Sequence, residues 1–159
     1  MATLWKIFSH LGKLAPLSFV PPGDVDGVQV GIGDETKQKR VKVSTAVICL
    51  DVTVPIAIHC GEIGASLIIA HRSPFRRSLR RLTGLPHLLL QHLLKRNITV
   101  YVLHYNWAAV DGGLNDVLAH VLGFKVTNVF NTPIGGTSVP LGRTCEVPKE
   151  TTLKTFIQH

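Results

Sequence analysis

Aromatic residues are scarce, at 6% of the chain, and there is a single methionine. Charged residues make up only 17%, where about a quarter is usual in a soluble domain. Only ten are acidic, so a site needing several carboxylates has few to draw on. No apolar run approaches the roughly 20 residues of a membrane-spanning helix. The longest apolar region, Thr45 to Ile58, is broken by Asp51 and carries Pro55. Three cysteines (Cys49, Cys60, Cys145) show no metal-type spacing, and an odd count argues against a disulfide framework. A reducing compartment is the expectation, and the cytoplasm is the expected location. No glycine-rich phosphate loop follows a strand, and Gly31-Ile32-Gly33 is too short for a dinucleotide fingerprint. No Ser-His-Asp or Cys-His constellation can be assembled, and Cys49 and Cys60 read as small core residues.

What is present is a hydrophobic chain of 159 residues with a basic excess. Hydrophobic residues are 45% and the mean hydropathy is +0.26, which excludes a disordered chain. The length suits one domain, 1–159. Seventeen Lys and Arg against ten Asp and Glu give a net charge of +7. Such a balance favours anionic partners such as phosphate, a nucleotide, nucleic acid or an acidic protein. Residues 1–23 hold no acid until the loop that follows, and Leu4, Ile7, Phe8, Leu11 and Leu14 form one apolar helical face. That pattern fits a first surface helix ending before Pro16. An amphipathic mitochondrial presequence is the alternative, and the lack of Arg speaks against it.

The hydrophobic pattern then alternates strands with helices. Val28 to Val30 is a short strand candidate and Asp34 to Lys42 a polar loop. Val43 to Leu50 reads as a buried strand ending at Asp51. Thr53-Val54-Pro55 opens a helix that Gly64 ends. Ser66 to Ala70 is a short apolar strand with His71 directly after it. Ser73 to Gly84 obeys helix rules, with Ser73 as cap, Pro74 in the first turn and Gly84 as stop. Leu85 to Arg96 is a second helix, Ile98 to Leu103 a buried strand followed by His104, and Leu114 to Leu122 a helix closed by Gly123. Val126 to Phe130 and Ser138 to Val147 are strands around a Gly/Pro turn, and a helix begins near Thr151 or Thr152. Short non-alternating strands between helices predict an α/β fold, a mostly parallel sheet with helices on both faces.

In such sheets the functional crevice lies beyond the strand carboxyl ends, where Asp51, His71 and His104 fall. Two imidazoles on neighbouring strand ends could share a divalent ion such as zinc, manganese or iron. They could equally be hydrogen-bonded histidines at the sheet edge. A catalytic metal needs about three protein ligands. Asp51 is a candidate ligand or general base, or else caps the next helix or pins the strand end. Arg76, Arg77, Arg80 and Arg81 make two i,i+4 pairs on the expected helix after His71, and with Arg72 they form a positive patch. The patch suits phosphate or a nucleic-acid backbone. It contains no interleaved aromatics for stacking bases.

Several stretches together resemble a known family. They are Asp24-Val25-Asp26-Gly27-Val28-Gln29-Val30-Gly31, Cys49-Leu50-Asp51-Val52-Thr53, Ala65-Ser66-Leu67-Ile68-Ile69-Ala70-His71, Leu82-Thr83-Gly84, His104-Tyr105-Asn106, Gly112-Gly113-Leu114-Asn115-Asp116 and Leu141 to Pro148. Their order and spacing match the GTP cyclohydrolase I type 2 homologues, also called the Ngg-interacting factor three-like family. The resemblance implies an α/β fold with a pair of divalent metals at the strand ends, a hydrolase-like site and ring-like homo-oligomers. Nucleic-acid and transcription-linked roles are also implied.

The departures from the family pattern concern the metals. Arg72 stands where the family has a second His ligand, and a guanidinium cannot ligate. Ala108 stands where the family has an Asp ligand. The resemblance places the other ligands in a second half of the family fold, expected to be absent here, with residues 151–159 expected to be the start of a truncated helix. Of the usual ligands only His71 remains, while His104 matches a position near the metals.

The expectation is therefore a non-catalytic or impaired member with an anion-binding pocket. Arg72 lies at its centre, His71, His104, Asp51 and Asn106 beside it, and Arg76 and Arg77 outside. The alternatives are a metal-dependent hydrolase acting on a nucleotide or related phosphorylated compound, and a basic nucleic-acid or transcription-partner module. Self-association is expected, because a half-length sheet leaves an edge strand uncovered; a membrane is not an expected partner.

Overall fold

The computed structural model describes residues 1–75, 77–147 and 152–157. In chain order the elements are β1 (Ala2–Thr3), α1 (Leu4–Leu14), β2 (Gly27–Val30), α2 (Glu35–Gln38), β3 (Lys42–Val43), β4 (Ala46–Cys49), α3 (Val54–Glu62), β5 (Leu67–Ala70), α4 (Gly84–Lys95) and β6 (Thr99–Val102). They continue with α5 (Tyr105–Ala109), α6 (Leu114–Val121), β7 (Lys125–Ile134), β8 (Thr137–Glu146) and α7 (Leu153–Ile157). The chain divides into two compact units, Met1–Asn106 and Trp107–His159.

The first unit is the predicted α/β layer. Its central sheet has the order β2-β6-β5-β4. β4 pairs parallel with β5, and β5 parallel with β6, from Leu67 opposite Thr99 to Ala70 opposite Val102. β2 runs antiparallel on the far side of β6. Because successive side chains alternate across a strand, Ile68, Ala70, Val100 and Val102 share one face. They are buried with Ala57 and Cys60 of α3 and Leu89 and Leu93 of α4. On the other face, Phe8 of α1 stacks on Tyr101, ring centroids 4.7 Å apart. Helices thus cover both faces of a mostly parallel sheet. The apolar stripe of α1 lies in this packing, with Leu4 and Leu11 buried. No helix among the described residues is long and apolar enough to cross a membrane.

Four local expectations are corrected. The strand expected over Val43 to Leu50 is confined to β4, and it is not buried, since Ile48 is 81% exposed on the outer strand of the sheet. The polar loop from Asp34 contains α2, whose cap is the Asp34 carboxylate accepting from Lys37 N at 2.8 Å. The helix expected over Ser73 to Gly84 does not form. Ser73 Oγ instead accepts from Phe75 N, two residues on, at 3.1 Å, a local turn that competes with helix capping. Arg77 and Arg81 at i,i+4 would also repel on one helix face. Gly84, with φ +63°, opens α4 rather than closing a helix. Finally, β7 and β8 are two ten-residue strands of an antiparallel hairpin. Gly135 and Gly136 at its tip both have positive φ, as a two-residue hairpin turn requires. Residue 76 and residues 148–151, 158 and 159 lie outside the described residues, so Arg76 and a helix start at Thr151 are not located. α7 supplies the helix expected after Thr152.

In the second unit the guanidinium of Arg143, only 5% exposed, donates to both carboxylate oxygens of Asp116. It also donates to the carbonyls of Pro140, Ala109 and Val110 at 2.8–3.2 Å. This ties the hairpin to the start of α6, and Arg143 holds the Asp116 carboxyl below its ordinary range. Removing one partner of a buried ion pair strands the other. Arg143→Met is therefore expected to destabilise the second unit by about 3 kcal/mol or more, read from urea unfolding followed by circular dichroism. In the wild type this contribution is full above the ordinary carboxylate pKa and is lost as pH falls through the depressed value.

Candidate functional site

The site lies where β5 and β6 end. The parallel ladder runs on past both strands: Leu103 N donates to Ala70 O at 2.9 Å, His71 N to Cys49 O at 3.1 Å and Arg72 N to Leu50 O at 2.9 Å. These bonds place His71, Arg72 and His104 side by side at the carboxyl edge. The rings of His71 and His104 meet edge to face, 5.0 Å between centroids.

Each ring is oriented from behind. His71 Nδ1 stands 3.0 Å from Leu103 O. A carbonyl only accepts, so Nδ1 carries the hydrogen and Nε2 the lone pair. Burial, with the positive neighbours His104 and Arg72, pushes the His71 pKa down. His104 Nδ1 faces Asp24 Oδ2 at 2.8 Å. The His104 backbone N donates to Asp26 Oδ1 at 2.7 Å and to Asn106 Oδ1 at 3.1 Å. Asn106 is fully buried and donates from Nδ2 to Ala15 O at 3.0 Å. Its work is to hold the chain after β6.

A cleft of about 300 Å³ opens here, lined by Asp24, Val25, Arg72, Ser73, Phe75 and His104 among others. Arg72 Nη1 donates to Asp51 Oδ2 at 3.3 Å, with the two side chains 46% and 37% exposed. Asp51 thus pins the strand ends rather than capping α3, whose cap is Thr53. An ion pair this exposed is worth about 0–1 kcal/mol, so the guanidinium can be shared with a ligand at little cost. Arg77 lines a neighbouring cleft with Gln29 and Leu79. The structure therefore brings together His71, Arg72, His104 and Asp51, and sets Asn106 behind them. Sequence reasoning missed Asp24, Asp26, Ser73 and Phe75. Pro21-Pro22-Gly23-Asp24 has the composition of a turn, but nothing in the spacing says that it folds over the strand ends.

Residues 2–159 match the family model described as Duf34/NIF3 (NGG1p interacting factor 3). The chain belongs to this family. Among curated relatives, a GTP cyclohydrolase 1 type 2 homolog of Clostridium perfringens is 31% identical over 156 residues, covering 95% of this chain and 56% of the relative. Another, of Bacillus subtilis, is 35% identical over 127 residues, covering 79% of this chain and 32% of the relative. The chain thus spans from about a third to somewhat over half of these relatives' length. Among solved structures, reduced HcgD from Methanocaldococcus jannaschii superposes with TM-score 0.71 at 23% identity, covering 81% of this chain and 49% of the other. A Bacillus cereus protein related to NIF3 gives 0.68 at 24%, covering 82% and 37%. Both show the Duf34/NIF3 fold.

The pair of divalent ions implied by the family resemblance does not fit this Duf34/NIF3 chain. Among the described residues no group of three or more His, Cys, Asp or Glu side chains converges on one point. Arg72 brings a permanent positive charge to the cleft, and the carboxylate that lines it, Asp24, is engaged by His104.

Asp26 carries the tension in the site. Its Oδ2 is buried without a hydrogen-bond partner. Burial first, and Asp24 beside it, push its pKa up to about 6, against the hydrogen bonds from His104 and Asn106 N–H groups. The folded state then binds this proton more tightly than the unfolded one. The stabilisation is full below the ordinary carboxylate range and is lost as pH rises through about 6. Asp26→Asn keeps an acceptor for His104 N without the charge. Its melting temperature is expected to exceed that of the wild type at roughly pH 7.5 and to match it below about pH 4, checked by calorimetry across that range.

Proposed function

We propose that this Duf34/NIF3 chain binds a phosphorylated small molecule or related oxyanion at the strand-end cleft, without metal-dependent catalysis. Arg72 is the central contact, with His104 and the Ser73 hydroxyl beside it and Arg77 further out. The observation that carries this reading is that Arg72 and His104 line one cleft, where a guanidinium and an imidazole can both donate to an oxyanion. A guanidinium matches the geometry of a phosphate with paired N–H donors. The net charge of +7 draws anions toward the protein in general.

A second reading rests on the exposed Arg77, Arg80 and Arg81 of the loop before α4, which suit a nucleic-acid backbone. The open edge at β4, with Ile48 exposed, supports self-association, to be read from sedimentation. Titration calorimetry of inorganic phosphate at low salt separates the ligand readings. Binding that weakens at least about tenfold in Arg72→Ala is expected, since a lost charged hydrogen bond costs about 1.5–3 kcal/mol. Absence of binding, or indifference to Arg72→Ala, would refute it. Elemental analysis beside it checks the hydrolase alternative. Stoichiometric metal that disappears in His71→Ala would replace anion binding by metal chemistry. Oligonucleotide affinity falling steeply with salt, and relieved in a variant lacking Arg77, Arg80 and Arg81, would favour the nucleic-acid module.

A further inference from the structure

The cleft around Arg72 has a neighbour. The first lobe, about 300 Å³, holds Arg72, Ser73 and His104. The second, about 470 Å³, holds Gln29, Arg77, Ser78 and Leu79. Gly23, Val25 and Phe75 line both. None of these three makes a wall between them. Gly23 has no side chain, and nothing lies within 4 Å of where a Cβ would stand. Val25 is 48% exposed, and Phe75 packs against the core beneath.

The lobes are also tied in register. Ser73 Oγ, in the first, donates to Gln29 Oε1, in the second, at 3.2 Å. Among the described residues, one arginine lines each lobe, Arg72 the first and Arg77 the second. The carboxylate lining the first lobe, Asp24, is spent on His104, and no described acidic residue lines the second. Val25 and Phe75, which line both lobes, and Leu79 of the second give the cleft its apolar surface. An inorganic phosphate is far smaller than either lobe.

We propose that the two lobes are one bipartite site for an elongated ligand carrying two phosphate-type oxyanions joined by an apolar or flat body, one oxyanion at Arg72 and the other at Arg77. This rests on the anion reading at Arg72 and adds the ligand class. Two anchors on one body make the second contact intramolecular, so the gain exceeds either contact alone.

The test is titration calorimetry with inorganic phosphate, a monoalkyl phosphate and a series of alkane-diyl bisphosphates of increasing length. One bisphosphate is expected to bind at least about tenfold tighter than the monoalkyl phosphate. Arg77→Ala should abolish that gain, leaving the bisphosphate no tighter than the monoalkyl phosphate, while Arg72→Ala weakens all three probes. Arg80→Ala, in the same exposed loop but lining neither lobe, should keep the gain. A gain lost equally in Arg80→Ala would mean general charge attraction and overturn the bipartite site. Equal binding of bisphosphates and monoalkyl phosphate, with phosphate still bound, would overturn it too and leave the Arg72 reading standing. No binding of any probe would remove both.

Discussion

The parallel pairing continues one residue past β6 against β5, and past β5 against the end of β4, and the site depends on that extension. Leu103 is the pivot. Its N–H continues the ladder to Ala70 O, and its carbonyl receives His71 Nδ1. One peptide thus ends the sheet and sets the tautomer of the first imidazole. The residue after it is His104, so the second ring follows at a fixed spacing. Strands this short, four residues each, are held by burial on both faces rather than by length. Val100, Val102 and Leu67 are fully buried. The rigidity of the site is borrowed from that core.

Charge decides what the edge can hold. A dication needs neutral imidazoles and carboxylates converging on one point. Here burial keeps His71 neutral in tendency, as a ligand would be, but the side chain one position on is a guanidinium. The carboxylates within reach face inward or sideways, Asp24 to His104 and Asp51 to Arg72. The Arg72 guanidinium, with N–H donors and no lone pair to offer, is the group on which the proposed anion contact rests.

The α/β class, the strand ends and the three residues placed on them were legible because buried parallel strands write themselves as short apolar runs. Ser-Leu-Ile-Ile-Ala before His71 is such a run. The charged segment after it was misread for a physical reason. Ser73, Pro74 and Gly84 satisfy helix-end chemistry locally, and Phe75, Leu79 and Leu82 keep helical spacing. Phe75 nevertheless packs under the cleft, and the serine hydroxyl is used within its own turn. Tertiary burial of one aromatic outweighed propensity over ten residues. The β7–β8 hairpin was half legible. Gly135-Gly136 marked the turn, but strands exposed along most of their length lack the apolar pattern that reveals a strand. Asp24 and Asp26 were not legible as site residues at all, because their partner lies 80 and 78 residues further along the chain.

Those two aspartates fix His104 in place. One loop grips His104 twice. Asp24 holds the ring through Nδ1, and Asp26 holds the backbone through N. Two attachments fix both the position of the residue and the rotation of its imidazole. A neutral acceptor at position 26 would satisfy the same N–H with no charge to bury. The carboxylate costs stability at neutral pH, where its second oxygen has no partner. A polar group kept at such a cost makes the hydrogen bonds it does accept strong, because a charged acceptor in a low-dielectric surrounding binds an N–H more tightly than an amide does. The loop is thereby fastened to the end of β6 at the point where Gly23 and Val25 form the floor shared by both lobes of the cleft.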